Sequence, residues 1–121
     1  MKISSQTSLY LGVLWFITIT VLFALPGSAF PKDDFLGDIH FDKWVHFGFF
    51  FILLWLWCKG LYKGNRQIFF WLILAASIYG FIVEIAQDKL VINRSFDIGD
   101  WIADTIGAIA GVLFFGQYIK K

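Results

Sequence analysis

Residues 98–118 read IGDWIADTIGAIAGVLFFGQY, an apolar run long enough to cross a bilayer that nevertheless carries Asp100 and Asp104. A spanning helix needs about 20 mostly apolar residues, so this stretch decides between a membrane bundle and a soluble fold. With Asp97 just ahead, the three aspartates recur at intervals of three and four and share one helix face. Asp104 sits roughly 10 Å deeper than Asp97 at about 1.5 Å rise per residue. An aspartate near the centre of a spanning helix costs about 2.5–3.5 kcal/mol, so this face must turn toward protein. Gly99, Ala103, Gly107 and Gly111 follow at intervals of four. That small-residue spacing lets a second helix approach closely, inside the bundle or in a homodimer.

Working outward, three further apolar segments cover about residues 9–25, 42–62 and 68–87, the first closed by Pro26-Gly27. Linkers 26–41, 63–67 and 88–97 are short, which makes sequential helices antiparallel neighbours. The predicted fold is all-α: a compact four-helix transmembrane bundle forming a single domain over residues 1–121. Composition agrees, with 59% hydrophobic residues and a mean hydropathy of +0.71, against roughly 45–50% apolar in soluble domains. Lys2, the first apolar run and Gly27-Ser28-Ala29 also fit a signal peptide, but the run exceeds the usual length of such a region. The first segment is therefore read as a retained helix. A net charge of +1 and no basic run exclude nucleic acid as a partner. Cys58 is the one cysteine, unable to form an internal disulfide, and reads as inert packing.

Orientation follows from Lys and Arg, which stay preferentially in the cytoplasm. With the N-terminus inside, Lys2, Lys59, Lys63, Arg66, Lys120 and Lys121 are inner, against Lys32, Lys43, Lys89 and Arg94 outside. Both termini are thus expected in the cytoplasm. All nine carboxylates fall in two stretches, Asp33 to Asp42 and Glu84 to Asp104, which places them at the outer face.

There the polar residues converge. Asp42 and His46, four apart, lie on one face of the second helix with Lys43 beside them. Ala76, Gly80, Glu84 and Gln87 form a stripe on the third, small residues deep and polar ones near the outer end. Arg94 precedes Asp97, Asp100 and Asp104 on the fourth. Asp42 and Asp97 are also candidate N-caps of their helices. Five carboxylates against Lys43, Arg94 and an adjustable His46 cannot all stay ionised cheaply at close quarters. The arrangement calls for a proton or a cation between Glu84 and Asp104. Trp44, Trp55, Trp57, Trp71 and Trp101 are read as interfacial belts and lipid-facing packing.

The run Asp42-Lys43-Trp44-Val45-His46-Phe47, then Glu84 with Gln87, then Arg94-Ser95-Phe96-Asp97-Ile98-Gly99-Asp100, Gly107 and Gly111, resembles the VanZ-like family of small bacterial membrane proteins. Leu25-Pro26-Gly27 also fits it, and the likeness covers nearly the whole chain. Asp104 is a departure, since the family commonly has Asn near that position. The resemblance implies a multi-pass protein of the bacterial cytoplasmic membrane, part of the cell envelope. The family's namesake is associated with low-level resistance to the glycopeptide teicoplanin. It identifies a site without supplying a reaction.

Three functions are open at this point. The first is binding or transport of a lipid-linked or cell-wall molecule, with Lys43 and Arg94 meeting anionic groups and Asp42, Gln87 and Asp97 completing the site. The second is a membrane hydrolase or transferase, with His46 or Glu84 as catalytic base and Asp97, Asp100 and Asp104 holding a divalent cation. Their oxygen ligands suit Mg, Ca or Mn. The third is a structural bundle acting through partner proteins. Orientation is directly testable: impermeant maleimide on intact cells should label Asp38→Cys and spare Cys58, and the reverse pattern would put the polar end in the cytoplasm.

Overall fold

The structure is a computed structural model that describes residues 3–25, 40–92 and 95–120. Four helices follow in order: α1 (Ser5–Phe23), α2 (Phe41–Leu61), α3 (Gln67–Leu90) and α4 (Ile98–Ile119). Each is long and apolar enough to cross a membrane, and their outer faces expose large apolar side chains such as Leu14, Trp44, Ile82, Leu113 and Phe114. This is a multi-pass membrane protein whose hydrocarbon-facing surface is built from the same residue types as its core. The predicted all-α bundle is what the structure shows, with helix ends within a few residues of those expected.

Local chemistry sets the ends. Ser4 caps α1 by accepting from Thr7 N at 3.0 Å. Between α2 and α3, Gly64 has a φ of 95°, a left-handed conformation that favours glycine. Asn65 Oδ1 then accepts from Gln67 N at 2.9 Å. Asp97 caps α4, as expected, accepting from Gly99 N at 2.8 Å. Asp42 does not cap α2. His40 occupies that position, in a left-handed conformation and without a side-chain bond to the helix. Asp42 sits in the first turn, where its charge still meets the positive end of the helix dipole.

The core is filled by Ile19, Phe50, Leu53, Leu54, Ala108 and Phe115. α2 packs most extensively on α4, and also contacts α1 and α3. The α2–α4 approach is set by glycine: a Cβ on Gly107 would collide with the Phe47 carbonyl, and one on Gly111 would come within 2.5 Å of the Phe51 carbonyl. The small-residue stripe is thus used inside the bundle at both positions. Side-chain donors reach across to helix carbonyls elsewhere. Ser8 Oγ donates to Leu56 O at 2.8 Å and Trp15 Nε1 to Phe49 O at 2.9 Å, joining α1 to α2. Trp101 Nε1 donates to Ser77 O at 3.0 Å, joining α4 to α3. Trp44 and Trp71 are exposed, as outward-facing packing requires. Trp55 and Trp101 differ, being half-buried against Phe115 and Phe81.

Cys58 is fully buried in the core. It is packing, and its protection from maleimide therefore reports nothing about sidedness. Asn65→Cys, in the exposed α2–α3 turn, is the informative partner to Asp38→Cys, and only one of the two should label. Gly107→Val should push α2 from α4 and cost about 1–3 kcal/mol, as overpacking does, seen as a lower thermal midpoint in detergent. Gly116→Ala, with open space around its Cβ, should leave that midpoint unchanged.

Candidate functional site

The N-terminal ends of α2 and α4 and the C-terminal ends of α1 and α3 meet at one end of the bundle. Polarity there is graded with depth. The Asp42 side chain is 57% exposed, that of Asp100 is 9% exposed, and Asp104 and Glu84 are wholly buried.

The outer layer is organised by one ammonium. Lys43 Nζ lies 3.4 Å from Asp42, 3.0 Å from Asp97 and 3.1 Å from Asp100, so it neutralises carboxylates from both α2 and α4. Gly99 makes room for it, since a Cβ there would fall 2.6 Å from Lys43 Cε. Partial burial pushes the Asp97 carboxyl up, but the hydrogen bonds from Lys43 and from Gly99 N–H outweigh it and hold the group below its ordinary value.

The inner layer lies one turn deeper. His46 Nδ1 is 2.6 Å from Asp104 Oδ1, a short hydrogen bond between the ring and the carboxyl group. Nε2 of the same ring faces Asp100 Oδ2 at 3.6 Å, beyond direct hydrogen-bond reach. Phe23, the last residue of α1, stacks on the imidazole with centroids 4.9 Å apart. Glu84 Oε1 accepts from Asp97 N at 3.2 Å, linking the two layers. Asp104 Oδ2 faces Gly80 on α3, where a Cβ would sit 2.8 Å away. Among the described residues, Asp104 Oδ2 and Glu84 Oε2 are both buried with no hydrogen-bond partner.

Of the residues singled out in the sequence, Asp42, Lys43, His46, Glu84, Asp97, Asp100 and Asp104 come together. Gln87 is buried beside them, but its Nε2 donates to Phe23 O at 3.0 Å, tying α3 to the end of α1. Arg94 lies outside the described residues. The Asp97, Asp100 and Asp104 ladder does not gather around one point. The carboxylates regroup by depth into Asp42, Asp97 and Asp100 outside and Glu84 and Asp104, with His46, inside. Phe23, Gly80 and Gly99 were not assigned to the site from sequence; the stripe spacing marked both glycines as small, and nothing marked Phe23.

A sequence model of the VanZ/LLP1 family matches residues 5–119. The chain belongs to this VanZ-like family. No curated protein and no solved structure matches it. The VanZ-like match runs through all four helices and both polar layers, so the site described here lies inside the family's domain.

The lowered Asp97 carboxyl fixes the sign of one pH effect. Its contribution to stability is present above the ordinary carboxylate range and is lost as pH falls through its depressed folded value. Subtracting the Asp97→Asn unfolding profile from wild type should leave a difference that disappears only in strong acid. A difference that vanishes near neutrality would contradict the Lys43–Asp97 contact.

Proposed function

We propose that this VanZ-like protein binds the headgroup of a lipid-linked envelope molecule at the polar end of its bundle. On this reading that end faces outward from the bacterial cytoplasmic membrane with both termini in the cytoplasm. The observation that supports it is the polar seam itself. Charged groups run from exposed Asp42 and half-buried Asp97 to buried His46 and Glu84, in a chain whose exposed large side chains are mostly apolar. Intramembrane ionisable residues that face a bundle interior mark substrate paths. A headgroup at that level meets Asp42 and Asp97 first, both acceptors when ionised. Sugar hydroxyls and amines are the donors that suit them. Lys43, already shared among three carboxylates, is spent on holding the site together, so direct phosphate capture by Lys43 is set aside. A role in glycopeptide resistance of the teicoplanin type belongs to this reading through the family resemblance alone.

One contact favours a second reading, a hydrolase or transferase. The His46–Asp104 pair at 2.6 Å has the geometry of a base held by a carboxylate. Among the described residues no serine, threonine or cysteine side chain hydrogen-bonds His46. Cys58 is twelve residues along α2, roughly 18 Å away at about 1.5 Å per residue. An activated water would have to serve as nucleophile.

Native mass spectrometry of protein extracted in mild detergent tests the binding reading. We expect a lipid with a glycan or amine headgroup to remain bound, with occupancy falling at least fivefold in Asp42→Ala/Asp97→Asn. Unchanged occupancy in that variant, or no bound lipid, contradicts it. Turnover of that lipid by wild type but not by His46→Ala would favour the hydrolase.

A further inference from the structure

We propose that His46, Glu84 and Asp104 bind one divalent transition-metal ion of the Mn, Fe or Zn class beneath the outer carboxylate layer. One ligand-type atom from each of the three residues lies within 4.8 Å of the others. Each comes from a different helix, so the site exists only in the assembled bundle. His46 is 4% exposed and both carboxylates are fully buried.

The second observation is the unmet bonding capacity. Glu84 and Asp104 each spend one oxygen on a protein donor, Asp97 N and the His46 ring respectively. Each then keeps the other oxygen buried with no partner among the described residues. Buried polar atoms are almost always satisfied, and leaving one unpaired costs a few kcal/mol, more for a charged group. Here two occur on residues that each bring a ligand-type atom within 4.8 Å of one from the same imidazole. Lys43 cannot relieve them, because its ammonium is held in the outer layer by Asp42, Asp97 and Asp100. A divalent ion compensates both negative charges at once and accepts the free oxygens as ligands.

The donor set decides the class of ion. Imidazole nitrogen suits Zn, Fe and similar ions, carboxylate oxygen suits Mn as well, and Mg and Ca prefer oxygen throughout. The three-aspartate ladder had pointed to Mg, Ca or Mn; the regrouped site brings in nitrogen and shifts the choice. Bound ligands stand about 2.0–2.2 Å from such an ion, which asks for a modest contraction of the cluster. Gly80 leaves Asp104 its place on the α3 face that also carries Glu84, one turn away.

The proposal deepens the headgroup-site reading but is tested without any lipid. The full chain in detergent is stripped with chelator and titrated with Mn2+, then examined by metal analysis and by pulsed electron paramagnetic resonance. We expect one Mn2+ per chain with nitrogen modulation from a coordinated imidazole. Affinity should fall at least tenfold in Glu84→Gln and in Asp104→Asn, the nitrogen signal should vanish in His46→Gln, and Asp42→Asn should stay within twofold of wild type. Only His40 offers another imidazole, so His40→Gln covers the case in which His46→Gln fails to fold. A signal that persists in His40→Gln assigns the nitrogen to His46, and one that disappears overturns the proposal. No bound Mn2+, Mn2+ without nitrogen modulation, or equal loss in Asp42→Asn also overturns it. Lipid retained by the metal-free protein would leave the headgroup reading standing, whereas metal bound without retained lipid would sink that reading and keep the metal site.

Discussion

The close contact between α2 and α4 is the constraint on which the rest of the molecule depends. In hydrocarbon there is no hydrophobic drive between helices, so association rests on packing and on hydrogen bonds that backbone proximity permits. Gly107 lies against the Phe47 carbonyl and Gly111 against the Phe51 carbonyl. That separation lets an imidazole one turn above reach Asp104 at 2.6 Å, and lets Lys43, another turn out, bridge to Asp97 and Asp100. A wider helix pair would leave each of these groups facing the wrong partner or lipid.

The cost of charge inside a membrane explains why the site is layered. Near the surface, one ammonium serves three carboxylates and water reaches the outermost of them. Deeper in, compensation has to come from the protein or from a bound ion, and the helices supply one imidazole for two carboxylates. Phe23 covers the imidazole from α1, while Gln87 anchors that helix end through the Phe23 carbonyl. α1 carries no charged side chain in its helix and still shapes the site. It walls the buried layer on the side that the charged helices leave open.

The helices were legible because length and apolarity alone specify a span, and because linker length specifies antiparallel order. Helical spacing also brought Asp42, Lys43 and His46 to one end, with Glu84 and the three aspartates opposite. The ladder does not gather in the fold because sharing a face differs from sharing a point. Seven residues separate Asp97 from Asp104, about 10 Å along the axis, too far for one ion. Asp42 suits a cap by residue type, yet the cap position falls two residues earlier, at left-handed His40. Phe23 was invisible for a different reason: α1 has no charged residue and no marked apolar face, so no periodicity in it reveals which side meets the site. Lys43 reads as a free cation because a sequence displays charges without displaying which are paired; in the fold Asp42, Asp97 and Asp100 share it.

The central claim is that α2 and α4 share a buried ionic contact at the polar end. A double-mutant cycle on His46 and Asp104, measured by reversible unfolding in bicelles, addresses it directly. The two alanine substitutions should be strongly non-additive, with a coupling on the order of 1–3 kcal/mol, the upper range for contacting residues. Strictly additive losses would mean that the imidazole and the carboxylate do not meet, and the site as described would not exist.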